Sequence, residues 1–427
     1  MKQSQLVDQN TTDPKRRLRI LISSYAMGPN QGSEPGKGWN VVKEVSKYHD
    51  VWVITRSENR PKIEKVTDIA PLENIHWIYF DTPYWLTFWY RGAKTRIFHY
   101  YLWQLWMYNK VKTLNETYTF DLLHHISYSL YHVPCPISRL PVPFIWGPVG
   151  GGETTPSNFY STFSLGERIK EYIRVTIRKF NELNPLVRLT ARSAELSFAT
   201  TTETATRLHH IGANNVQIRL AIGIPETDLH KAVERVPSDN TVRFLSIGRL
   251  LGWKGFHLSL QSFAKLCEGN PNYEYWIIGK GPERGKLEAL CHQLGITEKV
   301  RFLGSVPREQ VLKHLNEVDI LLHPSMHESG GWVVLEAMTM NLPVVCLSLG
   351  GPNQIVTDKT GFRIKADNPD QVISDMKDAM ITLATDSQLR HSMGSEGRKR
   401  VKDEFLWNKR GEYYANLYYQ VIAETIK

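Results

Sequence analysis

Between residues 242 and 362 the chain alternates short apolar runs with amphipathic stretches and never breaks the pattern. The runs "VRFLSI", "YEYWII", "VRFLG", "DILLHPS" and "PVVCLSLGG" are too uniformly apolar for strands with one face in water. Between them, "GFHLSLQSFAKLC", "PERGKLEALCHQLG", "REQVLKHLNEV" and "GWVVLEAMTMN" carry apolar residues at helical spacing. Such alternation commits the segment to a parallel sheet with helices on both faces, an α/β architecture.

A second series precedes it. "LRILISSY" (18–25) runs into the glycine-rich "GPNQGSEPGKGW" (28–39), then a helical "NVVKEVSKYHD" and the strand-like "VWVITR" (51–56). "FDLLHHIS", "PFIWGPVGGGE" and "LSFATTTETATRLHHIG" continue the alternation. The chain has 427 residues, more than one core usually holds. We therefore expect two Rossmann-like domains, 1–218 and 219–400. The polar "ERVPSDNT" (234–241) lies before the second series, and the aromatic helix within 401–427 is expected to pack back on the first domain.

Composition excludes some classes. With 41% hydrophobic and 22% charged residues the chain is globular rather than disordered. No run approaches the roughly 18 apolar residues of a membrane span, and the polar start predicts no secretory signal. Cys135, Cys267, Cys291 and Cys346 are scattered, as for free thiols in a reducing cytoplasm. A net charge of +9 suggests an anionic partner: a phosphorylated ligand, an anionic lipid or nucleic acid. No nucleic-acid module is visible, so the first two are favoured.

Chemistry concentrates in loops that follow strands. "GRLLGWKG" (248–255) carries Arg249 and Lys254 where an open α/β sheet binds ligands. An arginine fork and a lysine point charge suit two phosphates. "GKGPERG" is an incomplete GxGxxG, with Gly279 and Gly281 present and Arg284 in the third glycine's place, so structural turn glycines explain it about equally well. In "HESGGWVVLEAM" (327–338) a strand end, Gly330 and Gly331 precede a helix, with Glu328 on one side and Glu336 on the other. The amides of Gly330, Gly331 and Trp332 at that helix start suit a diphosphate.

In their order and spacing, "GRLLGWKGF", "IIGKGPERGKLE", "VRFLGSV", "HPSMHESGGWVVLEAM" and "PVVCLSLGG" resemble the nucleotide-sugar domain of retaining glycosyltransferases of family 4, bacterial type, which have the GT-B fold. "GSEPGKGW", "DLLHHISY" and "IWGPVGGGE" are similar to N-terminal loops of the same family. The resemblance implies that Arg249 and Lys254 hold the donor diphosphate, Glu328 the donor sugar and Glu336 the ribose. It places Gly281 and Leu303 beside the base and brings Gly32 and Ser33 to the phosphate from the opposing domain. It also implies a histidine near the sugar: His124 and His125 are the candidates, neither aligned cleanly because Ile126 stands where a second family histidine is usual, and His125 is preferred. Gly330 stands where an aromatic is usual, and Gln354 where an acid is usual.

The implied reaction moves a hexose from a nucleoside-diphosphate sugar to an acceptor hydroxyl with retained configuration, in polysaccharide or glycolipid synthesis. Glu328 and Glu336 then grip opposite ends of one donor rather than act as the acid pair of a glycosidase. No Asp-x-Asp occurs, and the adjacent histidines of 124–125 and 209–210 point to different sides, so neither a metal nor another cofactor is expected. Alternatives are a non-catalytic nucleotide-sugar binder or an epimerase on the same fold. Residues 76–108 hold five of the twelve tryptophans, and "IKEYIRVTIRKF" (169–180) is basic and amphipathic. They suit either helices packed on the sheet or reversible docking on the anionic inner face of a membrane, where a saccharide or lipid-linked acceptor would reside.

Overall fold

The computed structural model describes residues 16–90, 92, 95–232, 241–268 and 272–425. The N-terminal tail, residues 234–240 of the polar stretch, and positions 91, 93 and 94 of the aromatic segment lie outside these residues.

Two parallel sheets form. The first contains β1 (Arg19–Ser24), β2 (Asp50–Thr55), β3 (Ile75–Tyr79), β4 (Leu122–Ser127), β5 (Phe144–Val149), β6 (Leu196–Ala199) and β7 (Val216–Ile218), in the order β3-β2-β1-β4-β5-β6-β7. The second contains β8 (Val242–Ile247), β9 (Tyr273–Ile278), β10 (Val300–Gly304), β11 (Ile320–His323), β12 (Val344–Leu347) and β13 (Gly361–Ile364), in the order β10-β9-β8-β11-β12-β13. This is the GT-B architecture.

Each sheet reverses its winding beside its first strand. β1 pairs with β2 on one side and β4 on the other, and β8 pairs likewise with β9 and β11. At such a switch point the loops leaving neighbouring strands diverge, and a crevice opens at their C-terminal ends. The loops after β1, β4, β8 and β11 therefore define where a ligand can enter.

Helices cover both faces of the first sheet, which is why β4 is buried along its whole length. Tyr100, Trp103 and Met107 of the helix Arg96–Tyr118 pack on one face. On the other lie Val41, Val42 and Val45 of the helix Ser33–Val45, with Tyr414 and Tyr418 of the helix Trp407–Thr425. Gly411 lets those two helices cross closely, since a Cβ there would lie 2.3 Å from that of Glu44. The last helix, though it follows the second sheet in sequence, thus completes the first domain's core.

The aromatic segment is less helical than a helix pair. Its start is the edge strand β3, followed by the short helix Tyr84–Thr87 and the long 96–118 helix. "IKEYIRVTIRKF" lies in the helix Leu165–Asn181, opened by a reciprocal cap between Ser164 and Glu167.

Candidate functional site

A cleft of about 430 Å³ lies between the sheets. Its first-domain wall comes from the loops after β1 (Ser33, Glu34), β4 (Tyr128, Ser129, Leu130) and β5 (Gly150, Gly151), with Lys37 and Arg178. The second-domain wall is the loop after β11, His327 to Trp332. Ser33 and Tyr128 hold φ of 58° and 60°, a costly region for residues with a Cβ. Strain of about 1–3 kcal/mol each persists where surrounding structure enforces it, commonly at functional sites.

Lys254 and Glu328 meet as an ion pair, with side chains 15% and 24% exposed. Burial pushes the Glu328 carboxyl up, but Lys254, nearby His323 and the Gly330 amide outweigh it and hold the group below the usual carboxylate range. Arg249, on the same loop as Lys254, is exposed and makes no ion pair among the described residues. Gly331, at φ 95°, begins the helix Trp332–Thr339, whose N-terminus no side chain caps. Its first amides remain available to an anion. Gly350 and Gly351 let the next loop press against this one: the Gly351 amide donates to the Glu328 carbonyl at 2.8 Å, and a Cβ on Gly350 would lie 2.1 Å from that oxygen.

Glu336 lies a turn inside the helix, 7% exposed. Arg308 donates to its Oε1 at 2.8 Å and to Asp228 at 2.6 Å. Burial raises the Glu336 carboxyl above its ordinary value, against the pull of Arg308. No bond to Oε2 is made among the described residues, which leaves one oxygen for a ligand hydroxyl. Gly279 and Gly281 serve close packing: Cβ atoms there would lie 1.8 Å from the Gly248 carbonyl and 2.2 Å from that of Leu250. With Leu303 at the end of β10, they sit at the same edge of the sheet as Arg249. Gly32 caps the 33–45 helix in extended backbone, one residue before Ser33.

His125 requires correction. It is fully buried behind the cleft, with Tyr100 Oη at 2.7 Å, Gln104 at 3.1 Å and Ser23 at 3.0 Å. His124 points to the opposite face, to Tyr418 Oη and the Gly147 carbonyl, both at 2.7 Å. β4 runs on to Ser127, so its first cleft residue is Tyr128. Helices on both faces claim the two histidines.

Three features were not singled out in the sequence. Lys37, 3% exposed, pairs with Glu34 inside the cleft. Glu153 closes the "GGGE" loop and is 2% exposed; Thr201 and Thr204 donate to its Oε1 at 2.8 and 2.9 Å. Across the domain boundary Ser329 donates to Oε2 at 2.7 Å, which ties the Glu328 loop to the first domain. Arg178 completes the wall. The signal for Glu153 was an acid directly after three glycines at a strand end.

Residues 229–400 match the family model described as Glycosyl transferases group 1. The match covers the second sheet and its helices. The matched residues contain the loops after β8 and β11, and the cleft's first-domain wall lies outside them. An uncharacterized glycosyltransferase of Methanocaldococcus jannaschii is 31% identical over 181 residues, 42% of this chain and 45% of that protein. The chain spans about half the length of the curated relatives it matches. Sucrose-phosphate synthase from Thermosynechococcus elongatus shares the whole fold, with a TM-score of 0.65, 17% identity and coverage of 96% and 100% of the two chains. Anabaena HepE in complex with UDP does so with a TM-score of 0.59, 18% identity and coverage of 96% and 99%.

Proposed function

We propose that the chain is a retaining, metal-independent glycosyltransferase that moves a hexose from a nucleoside-diphosphate sugar to an acceptor hydroxyl in polysaccharide or glycolipid synthesis. The Lys254–Glu328 pair at the cleft, beside an uncapped helix start, carries the reading. It offers a cation to a phosphate and a carboxylate to sugar hydroxyls within one side-chain contact. The group 1 family match and the UDP complex of a protein with the same fold support it.

In this reading the acceptor oxygen bonds to the anomeric carbon as the carbon–phosphate-oxygen bond breaks on the same face. The departing diphosphate takes the acceptor proton, and a glycoside and a nucleoside diphosphate result. Arg249, Lys254 and the amides of Gly331 and Trp332 stabilise charge as it builds on the leaving group, while the Gly330 amide holds Glu328. Glu336 Oε2 accepts from the ribose. Gly281 and Leu303 line the base side, and Gly32 and Ser33 approach the phosphate.

Thermal-shift measurements against UDP-, GDP- and ADP-sugars should show one stabilising class, with slow donor hydrolysis. Binding without hydrolysis or transfer would leave a nucleotide-sugar binder. Glu336→Gln should weaken donor binding roughly ten- to hundred-fold, as expected for a lost bond to a charged group, with little change in melting. Unchanged donor affinity refutes the ribose role.

The acceptor in this reading lies at a membrane surface. Among the described residues no helix is long and apolar enough to cross a membrane. Yet Tyr84, Trp85, Phe88, Ile97 and Phe98 are exposed, as are Leu165, Ile169, Tyr172, Ile173, Ile177 and Phe180 along the 165–181 helix. Exposed Lys170 and Lys179 flank that stripe. Apolar side chains and cations on one helix suit an anionic bilayer. Vesicles containing phosphatidylglycerol should co-sediment the protein and neutral vesicles should not; equal behaviour with both counts against docking.

A further inference from the structure

Three of the cations in and around the cleft are held in ion pairs. Lys37 pairs with Glu34, Lys254 with Glu328, and Arg174 with Glu171. Arg178, one turn beyond Arg174 on the 165–181 helix, lines the cleft but makes no ion pair among the described residues. Its Nη1 donates to the Glu153 backbone carbonyl at 2.8 Å. The side-chain oxygens of Glu153 bond not to Arg178 but to Thr200, Thr201, Thr204, the Gly151 amide and Ser329. Glu182, further along the same chain segment, is engaged with Tyr131 and Arg207.

Two further observations point the same way. Arg174 reaches His327 Nδ1 at 3.0 Å, yet its own Nε is buried without a hydrogen-bond partner. Burial and the neighbouring Arg174 lower the affinity of Arg178 for its proton, against the opposite pull of Tyr131, Glu153 and Glu171. His327, in contact with Arg174, is held neutral by burial and by the nearby cations and adds no further positive charge to this wall. A guanidinium that lines a cavity with one donor anchored to a backbone carbonyl has further donors to offer an anion.

We propose that Arg178, backed by Arg174, binds a phosphate group of the acceptor, so that the acceptor is a phosphorylated compound with the phosphate near the hydroxyl to be glycosylated. This rests on the glycosyltransferase reading and adds the acceptor's chemical class. The donor diphosphate is assigned to Arg249 and Lys254, and Arg178 belongs to the facing wall. Both a soluble sugar phosphate and a lipid-borne phosphate present this chemistry.

The test is calorimetric titration of inorganic phosphate into the protein saturated with the nucleotide that the thermal-shift screen selects. The wild type should bind phosphate at a second site. Arg178→Gln, which keeps an amide donor for the Glu153 carbonyl, should bind it at least ten-fold more weakly while holding the nucleotide unchanged. Arg178→Lys should retain most of the affinity, and Arg249→Gln should weaken the nucleotide but not the phosphate. Repeating the titration with glucose 6-phosphate and with farnesyl phosphate assigns the source: whichever binds more tightly than inorganic phosphate marks a soluble or a lipid-borne acceptor. Equal phosphate affinity in wild type and Arg178→Gln, or none in either, overturns the proposal. Should no nucleotide bind, the glycosyltransferase reading fails, and the same titration on the free protein still decides the phosphate site.

Discussion

Replacing Lys254 with alanine is expected to lower sugar transfer roughly 100- to 1,000-fold, the usual effect of losing one preorganised donor to a leaving group. The size follows from the setting. Lys254 is only 15% exposed, so water contributes little to screening the charge it offers to the diphosphate. Arg249 on the same loop is exposed, and its loss should cost less. Lys254→Ala also leaves Glu328 without its counter-charge, so the melting temperature should fall with activity. A double variant, Lys254→Ala with Glu328→Gln, tests the counter-charge effect: its melting temperature should largely recover. Transfer within a few-fold of wild type in Lys254→Ala would sink the assigned role.

How much of this was legible beforehand varied with the physics involved. Strict alternation of apolar runs and helices specified both sheets, because a strand covered on both faces has no other way to be written. Loops after β8 and β11 were legible too, since Arg249, Lys254 and Glu328 stand directly beyond strand ends and the switch point brings those ends together. The first-domain wall was not. Whether a histidine at a strand end faces a cleft depends on where the strand stops, and β4 continues two residues past His125. Tertiary cover decided the outcome: Tyr418 and Tyr100, from helices far away in sequence, hold His124 and His125. Arg178 was hidden for a related reason. On the sequence it is one cation of an amphipathic helix, and only the fold shows that this position turns into the cleft while Lys170 and Lys179 turn to solvent.

Those buried histidines should make the protein acid-labile well before its carboxylates titrate. Burial, with smaller contributions from Lys37 and other neighbours, pushes His124, His125 and His132 down to about 3, and His257 and His323 to about 4. In the unfolded chain each titrates near ~6.5. A depressed folded value means the stabilisation is complete above about pH 6.5 and is lost as pH falls toward the folded value, because only the unfolded state takes up the proton. Each histidine then removes roughly 1.4 kcal/mol per pH unit, or about 2 kcal/mol by pH 5. Three such groups in the first domain approach a whole domain's stability of about 5–15 kcal/mol. Glu336, raised by burial, works weakly in the opposite direction, since its folded form binds a proton first as pH falls. The melting temperature should therefore drop steeply between pH 6.5 and 5. His125→Gln, which can still bond Tyr100 and Ser23, should flatten that slope by about one proton's worth while lowering stability at pH 7.5. A melting curve flat across this range, or a slope indifferent to the substitution, would mean that these imidazoles accept protons in place and that the first domain's core is wetter than its packing implies.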